Sequence, residues 1–121
     1  MKFLLIVHHD EAVFNEFGAA KQQQMLDESV ALTHQLHSAG KYLSASPLHP
    51  ASTAAIVRVR DGKSFVTDGP FIETREQIAG YFLIDAKDFD EAVAIATRVP
   101  GARIGTVEVR PVKAITGLPT N

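Results

Sequence analysis

AGYFLID, residues 79–85, is the stretch on which the architecture turns. Side chains alternate across a β-strand, so Tyr81 and Leu83 share one face of it, and Phe82 and Ile84 the other. Both faces are apolar. A strand of that kind needs cover on both sides and belongs at the centre of a sheet. FLLIV, residues 3–7, has the same property and ends at His8-His9-Asp10-Glu11. The other extended stretches are half polar. Residues 53–60 set Ala55, Val57 and Val59 against Ile56, Arg58 and Arg60, and residues 104–112 set Val107 and Val109 against Glu108 and Arg110. Residues 42–48 are cut by Pro47, with Pro50 close behind, which suits an edge. Asp61-Gly62 is a two-residue hairpin signal that returns the chain through residues 64–67.

Two helical segments separate these strands. Over residues 20–39, Met25, Ser29, Leu32 and Leu36 line one edge of a stripe, and Leu26, Val30 and Thr33 the other. Gly40 stands where a helix-terminating glycine belongs. Asp88, with Glu91 three residues later, forms an Asp-led capping box for a helix through Phe89, Ala92, Val93 and Ala96, which Pro100-Gly101 ends. The order is β-α-β, an added hairpin strand, then β-α-β. This is an α+β fold, the ferredoxin-like βαββαβ sandwich. Right-handed crossovers place the two doubly apolar strands at its centre. The Arg58/Arg60 strand and the Glu108/Arg110 strand then fall at the edges. Two helices cover only one face of such a sheet, and the other face predicts a homodimer.

A chain of 121 residues, 45% of them hydrophobic, fits one domain that buries roughly two thirds of its unfolded surface. Residues 116–121 read as a frayed tail of that single domain, 1–121. The absence of cysteine excludes a thiol nucleophile, a thiolate metal site and a disulfide framework, and matches a reducing cytoplasm. Twelve basic against fourteen acidic residues give a net charge of -2 without a basic block, which disfavours nucleic acid as a partner. The five apolar residues after Lys2 are too few for a signal-peptide core. No stretch approaches the ~18 apolar residues of a membrane span. The expectation is a cytoplasmic protein with no membrane partner.

Chemistry-bearing side chains fall in two places. His8-His9-Asp10 has the composition of a metal cluster, but neighbours on a strand point to opposite faces, so it reads as a polar strand exit. His34 and His37 are three apart on the first helix, His34 off the apolar stripe and His37 at its border, and His49 lies in a loop. There is no HExxH, GxSxG or glycine-rich phosphate loop. Neither metal nor cofactor is expected. The second place is SFVTDGPFIETREQIAG, residues 64–80. Gly69 precedes Pro70 and is pushed to an extended conformation, and Pro70 fixes its own φ, so the backbone is stiff. Asp68 suits an Asx-turn, and Glu73 and Glu76 would share one face of a helical turn. One reading makes Asp68, Glu73 and Glu76 acid–base or polar ligand groups, with Gly69, Pro70 and Phe71 walling a small-molecule pocket. The other makes Asp68 a turn former and leaves the glutamates solvated. The residues allow cofactor-free acid–base chemistry such as isomerisation, elimination or lyase action.

VTDGPFIETREQIAGYFLIDAKDFDEAVAIA, together with MKFLLIV, HSAGKYLSASPL, TAAIVRVRDGKSFVTDGPF and VEVRPV, resembles the DGPF branch of the YCII-related proteins over nearly the whole chain. The resemblance implies a ferredoxin-like fold that dimerises into an α+β barrel with a pocket near the sheet. Some members of that family occur beside sigma factors of the extracytoplasmic type. That association implies an alternative role, a non-catalytic ligand-binding or regulatory module acting through a partner protein. In the YCII branch a histidine on the first helix and an aspartate in an Asp-Pro-Tyr turn are the suspected acid–base pair. Counted back from the helix-ending glycine, the histidine position falls on Ser29, and the turn here reads Val99-Pro100-Gly101. The DGPF motif itself is intact in Asp68, Gly69, Pro70, Phe71, Glu73 and Glu76, which directs the search there, with Ser29 as a pocket hydroxyl.

Overall fold

The computed structural model describes residues 1–120, so only the last residue of the expected frayed tail lies outside the described residues. In chain order these run β1 (Lys2–Asp10), α1 (Glu11–Glu16), α2 (Gly18–Ser38), β2 (Tyr42–Pro47), β3 (Ala55–Arg60), β4 (Lys63–Asp68), β5 (Glu76–Asp85), α3 (Phe89–Ala96) and β6 (Thr106–Pro111). The main sheet has the order β2-β5-β1-β6, with every neighbouring pair antiparallel. Its two central strands are the two that are apolar on both faces. This is the ferredoxin-like arrangement.

Alternation decides which side of β1 and β5 is core. Phe3, Leu5, Val7, Phe82 and Ile84 are buried beneath Leu32 and Leu36 of α2 and Ala92, Ile95 and Ala96 of α3. Phe3, Leu5 and Ile84 are completely inaccessible, each stabilising the fold by roughly 2–3 kcal/mol through burial. The opposite parity, Leu4, Ile6, Tyr81 and Leu83, is only half buried, and Ile78 is exposed. That open face carries no helix.

Two expectations are corrected. First, the Arg58/Arg60 strand is not an edge of the main sheet. It pairs with β4 as a separate two-stranded sheet, and β2 takes the edge beside β5. Asp61 (φ 51°) and Gly62 (φ 74°) make the tight turn that holds β3 on β4, so neither strand is left to extend the main ladder. β2 tolerates the position because its proline stands at its last residue, where the missing N–H removes no interior bond. Second, a separate short helix, α1, precedes the long one. Asp10 caps it, its carboxylate accepting from the backbone N–H of Ala12 (3.0 Å) and Val13 (3.2 Å). The strand exit at His8-His9-Asp10 is therefore also a helix start.

Candidate functional site

At the end of the sheet where β1 leaves and β5 enters, the N-terminal half of α2 stands off the sheet. A cleft of about 200 Å³ opens between them. Its floor is Val7 and His9 of β1 and Ala79 to Phe82 of β5, its far wall the turn around Pro100 and Gly101, and its near wall Met25, Ser29 and Val30. This explains why Leu26 and Val30 are 42% and 47% exposed on an otherwise apolar helix edge: both line the cleft. Gly80 is required here. A β-carbon on it would stand 2.8 Å from the Ser46 carbonyl oxygen, so only glycine lets β2 and β5 close at this point. On the other side Arg98 donates to Gln35 Oε1 (2.7 Å) and Arg103 pairs with Glu28, which ties α2 to the segment after α3 and sets the width of the opening.

His9 is the histidine that lines the cleft. Parity puts it there: Phe3, Leu5, Val7 and His9 share the core face, and His8 turns to the open face, where its Nε2 lies 3.3 Å from Glu108 Oε1. The His9 ring stacks on Phe14, with centroids 4.6 Å apart and planes 25° from parallel. Burial lowers its pKa below the ordinary 6.5, against the opposing pull of Glu11, Asp10 and Glu76. At neutral pH it is an uncharged imidazole with one N–H donor and one acceptor nitrogen. Glu11 is already engaged, its two carboxylate oxygens accepting from the Ala51 N–H at 3.1 and 3.3 Å.

Two hydroxyls and an amide on the helix side of the cleft are bonded to backbone carbonyls. Ser29 Oγ donates to the Met25 carbonyl (3.0 Å) and Thr33 Oγ1 to the Val30 carbonyl (2.6 Å). The Gln22 amide donates to the Phe14 carbonyl (2.9 Å). With their hydroxyl hydrogens directed at the backbone, Ser29 and Thr33 present acceptor lone pairs, and Gln22 has its carbonyl oxygen and a second amide hydrogen beside the one it donates. Among the described residues, none that lines it is Lys, Arg, Asp or Glu.

Of the residues expected from sequence, Ser29 lies in this cleft and the DGPF group does not. Asp68 ends β4 and is exposed, as is Glu73. Phe71 is 68% exposed, with the Arg58 guanidinium 5.5 Å from its ring centroid, so it does not pack over the sheet within the protomer. Glu73 and Glu76 share no helical turn: Glu76 is the first residue of β5 and accepts from the Thr106 hydroxyl at 2.8 Å. Gln77 holds the loop between them by donating to the carbonyls of Ile72 (2.7 Å) and Thr74 (3.0 Å). Gly69 is needed where it stands. Its N–H donates to the Ala54 carbonyl at 2.7 Å, and a β-carbon would meet the Ala54 side chain at 2.8 Å. The motif thus closes the root of the β3–β4 hairpin. Composition drew attention to DGPF, whereas His9 was findable only by extending the alternation of β1 by one more step. Among the described residues no three histidine, aspartate or glutamate side chains converge as a metal site, and no helix is long and apolar enough to cross a membrane.

The solved structure of 5-chloro-2-hydroxyhydroquinone dehydrochlorinase (TftG) from Burkholderia phenoliruptrix AC1100, in complex with 2,5-dihydroxybenzoquinone, superposes with a TM-score of 0.56. The match covers 93% of this chain and 94% of that one at 13% identity, which is a likeness of fold. An uncharacterised protein of Rhizobium meliloti (strain 1021) is 33% identical over 113 residues, 92% of this chain and 91% of its own length. Residues 1–116 match the YCII-related domain, and the chain belongs to that family.

Proposed function

We propose that the cleft binds an uncharged, ring-sized molecule bearing hydroxyl groups, and that His9 moves a proton on it without a cofactor. The observation that carries this reading is a neutral, stacked imidazole in an otherwise uncharged cleft. The size supports a single ring: about 200 Å³ falls short of the ~300–1,000 Å³ of larger ligand sites, and an apolar cavity of about 150 Å³ accepts benzene. Acceptor lone pairs on the Ser29 and Thr33 hydroxyls suit O–H donors. The neighbouring fold, a dehydrochlorinase of 5-chloro-2-hydroxyhydroquinone, is consistent with that class.

In an elimination of this type His9 takes a proton from a tetrahedral ring carbon, such as the keto tautomer of a hydroxylated ring supplies. The electron pair so released forms the new double bond. The leaving group departs from the adjacent carbon with its own pair, and the imidazolium returns the proton to it or to water. No electron acceptor is required. A base of this kind contributes about 10²–10⁴-fold.

Deuterium exchange into resorcinol, followed by NMR in heavy water, tests the assignment with a neutral hydroxylated ring. The wild-type protein should accelerate exchange, and His9→Gln should lower that acceleration by about 10²-fold or more. Equal exchange by both proteins would remove His9 from the chemistry. Binding without exchange would instead favour the ligand-binding module.

A further inference from the structure

We propose that the ring bound beside His9 carries a short, uncharged alkyl substituent, which lies between Leu26 and Val30 of α2 and Ala45 and Pro47 of β2. This rests on the ring-binding reading of the same cleft and adds what the substrate bears away from its hydroxyls. The cleft is longer than one ring. Along α2 its lining runs from Gln22 to Thr33, about 16 Å of helix at ~1.5 Å per residue. A benzene-sized ring at the His9 end leaves the Thr33 end unfilled.

The two ends differ in what they offer. At the His9 end stand the Phe14 ring, stacked on the imidazole, and Met25, whose thioether makes favourable contacts with aromatic rings. Beyond them the roof is Leu26 and Val30, one turn apart on the same edge of α2. They are the two exposed large hydrophobic residues of that helix, and both stand where the cleft runs beneath it. The pairs Ala45↔Phe82 and Pro47↔Gly80 place small residues on the core side of the sheet below them. Small residues under branched aliphatic ones leave an apolar slot. Among the described residues that line the cleft there is no Lys, Arg, Asp or Glu, so a charged substituent would lose hydration without gaining a partner. Volume sets the length: about 200 Å³ is little more than the ~150 Å³ that accepts benzene, so a chain of about two to four carbons fits with its end at the open mouth.

Calorimetric titration with resorcinol and with divarinol, which adds a propyl chain to the same ring, reads the substituent directly. Each fully buried carbon is worth roughly fourfold in affinity, so with partial exposure the wild type should bind divarinol about tenfold more tightly or better. The ring with a carboxylate in place of the propyl group, α-resorcylate, should bind more weakly than resorcinol. In Leu26→Ser/Val30→Ser, at two half-exposed positions, the divarinol-to-resorcinol ratio should fall towards one while the circular dichroism spectrum keeps its wild-type form. Val30→Thr, which keeps the shape and adds a hydroxyl, should lower the ratio in the same direction. Equal affinities in the wild type overturn the inference. So does a preference for divarinol that survives both variants, because the chain then lies elsewhere. The underlying reading fails differently. If neither compound binds, both fall; if the propyl preference stands and His9→Gln exchanges deuterium as fast as the wild type, only the His9 chemistry falls.

Discussion

His8 and His9 are adjacent in sequence and serve opposite sides of the sheet, which is why only one of them belongs to the cleft. Gly80 makes the same point about single positions. With a β-carbon 2.8 Å from the Ser46 carbonyl oxygen, Gly80→Ala forces β2 from β5 and should lower unfolding free energy by about 1–3 kcal/mol in a urea titration. Leu5, completely buried between sheet and helices, should cost roughly 2–5 kcal/mol as Leu5→Ala. A Gly80→Ala protein as stable as wild type would mean that the strand edge is looser than described. These positions were partly legible beforehand. Leu5 follows from alternation alone, but the need for glycine at Gly80 depends on which strand lies alongside it, and that is a tertiary fact.

At the scale of elements, the hydrophobic periods of β1, β5 and α2 specify their places because each has a face that water excludes. β3 alternates as clearly, yet it pairs with β4 apart from the main sheet, because alternation gives a strand two different faces without naming its neighbour. α1 was missed because its six residues are too few to show a helical period, and its signal is the cap at Asp10. Removing that cap tests its weight. Asp10→Ala should cost about 1 kcal/mol, within the usual 0.5–2 range, by leaving the Ala12 and Val13 N–H groups without their carboxylate. Asp10 is also one of the carboxylates that raise the His9 pKa, so the same variant should lower that pKa further below 6.5. An unchanged His9 titration in Asp10→Ala would show that the Asp10 charge does not reach the imidazole.

For the molecule as a whole, pH sensitivity follows from where the shifted groups sit. Asp85 is held below its ordinary 3.8 by the N-terminal ammonium, Glu91 below 4.5 by Lys41, and Glu108 below 4.5 by Arg110 and then His8. Groups depressed on folding stabilise above their unfolded pKa values, and that contribution is lost as pH falls through the folded ones. His9 is depressed as well, so the unfolded chain takes up its proton first, beginning near pH 6.5. Thermal melts should therefore decline gently below pH 6.5 and steeply only below about 4.5, and His9→Asn should remove the gentle limb alone. The cleft was the least legible feature, since it arises where α2 stands off the sheet and no local pattern encodes that gap. The most direct test of its role is an NMR titration of the imidazole resonances, with and without hydroquinone. His9 should titrate below 6.5 and shift on adding the ring, while the resonances of the exposed His34, His37 and His49 do not respond to the ring. A His9 that titrates at 6.5 or above and ignores the ring would contradict the account.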